Sequence, residues 1–129
     1  MTAPLHKKVL IANRGVIARR ILRTLKRMRI PSVAVFSNPD ADAPFVREAD
    51  ERVPLHGDFS RDTYLNVDKV IEAAKKVGAT AIHPGYGFLS EKAAFARRCK
   101  DEGSVFIGPS PEAIEAMGDK ASAREAMRK

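Results

Sequence analysis

The chain is predicted to fold as an α/β domain, a parallel sheet of about five strands with helices on both faces. Three observations carry that expectation. Short apolar runs without polar alternation recur along the 129 residues, the pattern of strands buried on both faces. Segments with helical periodicity separate these runs, so successive strands are joined by crossovers rather than hairpins. Glycine, proline and polar residues gather where the runs end, at "ANRG", "FSNPD", "IHPGYG" and "IGPSP".

The elements follow in order. "KVLIA" (Lys8 to Ala12) is the first strand and leads to a helix from about Gly15 to Arg29. In that helix Ile17, Ile21, Leu25 and Met28 recur at helical spacing, while Arg20, Arg23 and Arg27 take another face. Such a basic face is either solvated, with its C-terminal turn suited to the helix dipole, or an interface for an acidic partner or subunit. "PSVAVFS" (Pro31 to Ser37) is the second strand, followed by the turn-rich "NPDADAP" and a short helical segment at Phe45 to Ala49. "ERVPL" is a third strand, and Pro54 moves it toward the sheet edge. The loop "HGDFSRDTYLN" leads to a helix at Val67 to Val77, with Asn66 as its cap and Gly78 as its stop. Val67, Val70, Ile71, Ala74 and Val77 form its apolar stripe, and Glu72 and Lys76 stand at pairing distance, four residues apart. "ATAIH" is the fourth strand, and Ser90 is read as the cap of a helix from Glu91 to about Asp101. "SVFIG" is the fifth, Ser110-Pro111 opens a further helix, and Asp119 is read as the cap of a last one. This is a Rossmann-like layout, in which ligands bind beyond the carboxyl ends of the strands.

Composition narrows the function classes. The single cysteine, Cys99, can form no intramolecular disulfide and is too little for a metal site, and no apolar run is long enough to span a bilayer. A cytoplasmic protein without membrane attachment is expected. A net charge of +7 invites a nucleic-acid-binding reading, but no aromatic platform is interleaved with the basic residues. A nicotinamide-binding module would need G-x-G-x-x-G after the first strand, whereas "ANRGVIAR" supplies only Gly15, with Arg19 where a small residue belongs. No P-loop motif occurs either. A free-standing Rossmann-like ligand-binding or regulatory domain is the remaining generic alternative.

The stretches "KVLIANRGVIARRIL", "YLN", "AIHPGYGFLSE" and "FIGPSPEAIEAMGDK", with their spacing, resemble the N-terminal, pre-ATP-grasp domain of biotin carboxylase in the biotin-dependent carboxylases. The resemblance covers the chain from about Lys7 to Lys129, and HPGYGFLSE followed by MGDK is a specific pair of motifs. It implies a division into a lead at 1–6, the N-terminal domain at 7–117 and, at 118–129, the start of a connection into an ATP-grasp domain. It further implies an enzyme that carboxylates carrier-bound biotin with MgATP and bicarbonate through carboxyphosphate. ATP, Mg2+ and biotin would be held mainly by the ATP-grasp domain. The implied partners are that domain of the same polypeptide, a biotin carboxyl carrier protein or domain, and a carboxyltransferase component. No catalytic residue and no metal ligand falls in this segment, so the 129-residue chain is expected to fold without catalysing.

By the same resemblance Tyr86 would form wall or ring contact with biotin, Gly87 would allow close backbone approach, and Lys120 would meet ATP. His83, Pro84, Gly85, Asn13, Arg14 and Gly15 would be supporting loop residues. Two general arguments accompany these roles. Helix N-termini at Ser90 and Asp119 would face anionic groups. His83 would shape the loop rather than act as a general base, since no acid is placed to orient it. The terminal "EAMRK" lacks a helix-closing residue, so a longer polypeptide is expected. Two departures from the family pattern stand out: Val16 replaces the glutamate of NRGEIA, and Arg27 stands where bacterial members carry the acid that pairs with an arginine across a dimer of first helices. A homodimer through the first helix would therefore lack that ion pair.

Overall fold

The computed structural model describes residues 6–128, and side chains for residues 6–119. Five parallel strands form one sheet: β1 (Val9–Ile11), β2 (Ser32–Phe36), β3 (Glu51–Pro54), β4 (Ala81–His83) and β5 (Val105–Phe106), in the order β3-β2-β1-β4-β5. The helices are α1 (Gly15–Arg27), α2 (Pro44–Glu48), α3 (Val67–Val77), α4 (Ala93–Asp101) and α5 (Pro111–Arg128). The apolar run of β1 is central because both faces must be covered. Val9 and Ile11 pack with Ala18, Leu22 and Leu25 of α1 and Phe45 and Val46 of α2. Leu10 and Ala12 face Val70, Ile71 and Ala74 of α3 and Phe95 and Cys99 of α4. Each fully buried aliphatic side chain of this kind contributes about 1.5–3 kcal/mol. Pro54 sits in an edge strand, where its missing N–H costs no ladder bond.

Most of the expected elements are present, and α3 follows its local rules closely. Asn66 Oδ1 accepts from the Lys69 N–H at 3.1 Å, and Gly78 closes the helix at φ 69°. Its expected Glu72–Lys76 pair is not formed. Instead Lys75 pairs with Glu102, and Arg98 bridges Asp68 at 2.8 Å and Glu102 at 3.1 Å, so the charges join α3 to α4.

Three expectations are corrected. The buried stripe of α1 is Ala18, Leu22 and Leu25, while Ile17 and Ile21 are half-buried and Met28 is exposed. The small Ala18 lies against the sheet, rotating the stripe away from the isoleucines. Ser90 does not cap α4, because burial of Leu89 winds Phe88–Glu91 into a 3-10 turn closed by Ser90 N–H to Gly87 O at 2.9 Å. The helix starts after Lys92 instead. Asp119 does not stand at a helix start either. α5 runs unbroken through Gly118, since an interior glycine costs only about 1 kcal/mol and no proline stops it. The expected boundary between 117 and 118 falls inside this helix.

Candidate functional site

β1 is followed in sequence by β2 on one side and bordered by β4 on the other, so the strand order reverses between β1 and β4. In a doubly wound sheet the ligand crevice opens there, beyond the carboxyl ends of the two strands. The loops leaving those ends are Ala12–Arg14 and Pro84–Gly87, joined at their base by Ala12 N–H to His83 O at 2.9 Å.

Asn13 ties the two loops together. It is 1% exposed, and its Nδ2 donates to the carbonyls of both Pro84 and Tyr86 at 2.8 Å. Its Oδ1 accepts from the Arg14 N–H at 2.8 Å, which completes the amide's bonding. Gly85 must be glycine for two reasons. Its φ is +67°, and a Cβ would stand 2.7 Å from Asn13 Nδ2 and 3.0 Å from Ile17 Cγ2. Where a dinucleotide fold brings glycine backbone against a pyrophosphate, this chain packs its own asparagine against its own loop.

Beyond Gly85 the loop turns outward. Tyr86 is 79% exposed. Gly87 adopts φ 74° and ψ −160°, a glycine-only conformation with open space around it, and Phe88 follows at φ 46°. His83 turns the other way: its Nδ1 accepts from the Gly85 N–H at 3.0 Å, and its ring lines a groove of about 470 Å³ with Ile21, Leu25, Ile30 and Ile107. Burial lowers its pKa below the usual 6.5, which favours the neutral ring, and with Nδ1 accepting, the neutral ring carries its hydrogen on Nε2.

A second cluster lies beside the first. Arg14 grips Asp40 with two bonds, Nε to Oδ2 and a terminal nitrogen to Oδ1, both at 2.7 Å. The Tyr64 hydroxyl donates to Asp40 Oδ2 at 2.7 Å and accepts from the Ser37 N–H at 3.1 Å. The Arg14 hydrogen bond holds the Asp40 carboxyl below its ordinary range against the opposing effect of burial, with the Tyr64 bond adding to it. Burial pushes the Tyr64 hydroxyl up to about 12, assisted by the bond to Asp40, so it stays a donor. Sequence reasoning missed Ser37, Asp40 and Tyr64. The available signal was an aspartate in the turn after a strand, "SNPD", and a tyrosine just before a helix cap, "TYLN".

The structure therefore brings together Asn13, Arg14, His83, Pro84, Gly85 and Tyr86, with Gly15 opening α1 beside them at φ 61°. It does not give Lys120 the expected setting. That lysine lies in the middle of α5, away from any helix N-terminus, and its side chain lies outside the described residues.

The model of the family described as biotin carboxylase, N-terminal domain, matches residues 5–114. A biotin-dependent acyl-coenzyme A carboxylase alpha3 subunit of Mycobacterium leprae is 55% identical over 91% of this chain and 20% of its own length. Biotin carboxylase 2 of Bacillus subtilis is 54% identical over 93% of this chain and 27% of its own. The crystal structure of Kluyveromyces lactis urea carboxylase superposes with a TM-score of 0.91 at 58% identity, covering 95% of this chain and 11% of that one. The chain thus spans about a quarter or less of the proteins it resembles. Its parallel sheet, its HPGYGF loop and the family match over residues 5–114 lead to one conclusion: the chain belongs to the biotin carboxylase N-terminal domain family.

Proposed function

We propose that this chain forms one wall of a biotin carboxylase active site, in an enzyme that carboxylates carrier-bound biotin with MgATP and bicarbonate through carboxyphosphate. The observation that carries this reading is the Pro84–Phe88 loop. Its backbone is anchored by Asn13, yet it presents Tyr86 and the open side of Gly87 at the carboxyl edge of the sheet. A fixed backbone under an exposed ring suits a wall closed by a second domain. In this reading the Tyr86 ring packs against biotin, and Gly87 admits a close approach of substrate. Lys120 contacts ATP on the strength of the MGDK motif alone, since its helix does not begin there. When bound, MgATP supplies the phosphoryl group that activates bicarbonate, and this segment contributes position and shape to that step.

An ATP-grasp domain of the same polypeptide, a biotin carrier and a carboxyltransferase complete the proposed assembly. The carboxyl acceptor is chosen elsewhere, for acyl-CoA and urea carboxylases match this segment almost equally, at 55% and 58% identity. A chimera tests the reading: residues 6–126 would replace the corresponding segment of Bacillus subtilis biotin carboxylase 2. Bicarbonate-dependent ATP cleavage stimulated by biotin is expected to persist, and Tyr86→Ala is expected to raise KM for biotin while leaving KM for ATP unchanged. A folded chimera without that activity would overturn the proposal, as would ATP cleavage by the 129-residue chain alone.

A further inference from the structure

The loop that carries Tyr86 has an unusual backbone. Gly87 occupies a region open only to glycine, and Phe88, with a side chain, stands at φ 46°. Conformations of this kind persist only where the surroundings over-determine them. The contacts that do so form a ring. On one side Asn13 holds the carbonyls of Pro84 and Tyr86, Arg14 N–H fixes the Asn13 amide, and the Arg14 guanidinium is held by both oxygens of Asp40. On the other side Phe88 packs on Tyr64 with ring centroids 5.6 Å apart at 50°, and the Tyr64 hydroxyl returns to Asp40 Oδ2.

We propose that Asp40 and Tyr64 are positioning residues for the Pro84–Phe88 loop, holding Tyr86 and Gly87 in place through Arg14 and Asn13 at one end and through Phe88 at the other. The ring draws on four separate stretches of chain, the ends of β1, β2 and β4 and the lead into α3. Asp40 and Tyr64 are 6% and 1% exposed, so neither contacts solvent enough to serve as a ligand group itself. A buried carboxylate needs compensation wherever it lies. Arg14 alone, with two charge-assisted bonds, would supply it. The added Tyr64 bond does something more, because Tyr64 is also the residue on which strained Phe88 rests. Any consequence for catalysis rests on the biotin carboxylase reading, but the positioning itself does not.

The test is amide hydrogen exchange on the 129-residue chain, followed by NMR. Tyr64→Phe removes only the hydroxyl, Asp40→Asn removes the charge at constant shape, and Asn66→Ala weakens the α3 cap outside the ring. In both ring variants the Gly85 and Ser90 amides are expected to exchange about tenfold faster, the factor that a hydrogen bond to a charged group is worth. The amides of α3 should keep their rates, and the Gly85 and Gly87 resonances should shift. Asn66→Ala should do the reverse. Unchanged loop exchange in the ring variants would overturn the proposal, and so would acceleration shared equally by every amide. Should Asp40→Asn fail to fold, Tyr64→Phe alone decides by the same criteria. An inactive chimera would refute the function without touching this result.

Discussion

Helix α3 and the Pro84–Phe88 loop are stabilised in opposite ways. α3 is closed by residues next to it in sequence: Asn66 caps its start at Lys69, and Gly78 ends it by returning its N–H to Ala74 and Lys75. The loop is closed by residues that are distant, with Asn13 some 70 positions away and the Tyr64 ring beneath Phe88. Two glycines make the difference concrete. Gly78 and Gly85 have nearly the same φ, +69° and +67°, yet a Cβ on Gly78 meets nothing within 4 Å, while one on Gly85 meets Asn13 and Ile17. Local conformation is equally demanding at both, and only the tertiary surroundings distinguish them.

The largest effect should come from setting those glycines against each other. Gly85→Ala is expected to destabilise the chain by about 3 kcal/mol, combining backbone strain with a forced displacement of Asn13. Gly78→Ala should cost about 1 kcal/mol, strain alone. Chemical denaturation of both variants checks this, and equal losses would erase the distinction between the two regions.

A smaller effect should appear on the acid side. The Asp40 carboxyl titrates lower when folded than its ordinary value of 3.8, chiefly through the hydrogen bond from Arg14. The folded chain therefore binds that proton less readily than the unfolded one. The resulting stabilisation is complete above 3.8 and is lost as pH falls through the depressed value. His83, lowered by burial, adds an earlier loss as pH falls below 6.5. Asp40→Asn should flatten the lower part of the stability profile and leave the part near 6 unchanged. An acid profile identical to the parent's would show that the Arg14–Asp40 pair carries no net weight.

The smallest effect should be stabilising. α1 ends with Arg29 at φ 59°, in the position a glycine fills at the end of α3, and its terminal bond runs from Ile30 N–H to Leu25 O at 2.9 Å. Arg29→Gly should raise stability by about 0.5–1 kcal/mol, read as a shift in denaturation midpoint. A loss instead would mean that the arginine side chain outweighs its backbone strain.

Much of the fold was legible because its signals are local. Unbroken apolar runs gave the buried strands, Asn66 and Gly78 bounded α3, and Ser110 Oγ accepts from the Ala113 N–H at 3.1 Å just where Ser-Pro predicted a helix start. Part of the site was legible for the same reason: glycine and proline after β4 mark a special backbone wherever it lies. The misreadings share a cause. Ser90 and Asp119 are good caps by residue type, but Leu89 is drawn into the core and α5 continues through Gly118, so neither stands at a helix start. Asp40 and Tyr64 are 24 residues apart and meet only once the sheet has formed.

By itself, then, the sequence determined the α/β class, the buried strands, the caps of α3 and the family motifs, because apolar periodicity, capping and backbone freedom act over a few neighbouring residues. Only the tertiary structure decided that Asn13 ties the loop after β1 to the loop after β4, that Tyr64 meets both Asp40 and Phe88, and that Gly85 differs from Gly78. Those facts depend on which side chains the strand order β3-β2-β1-β4-β5 brings within hydrogen-bonding reach, and residue type alone does not encode that distance.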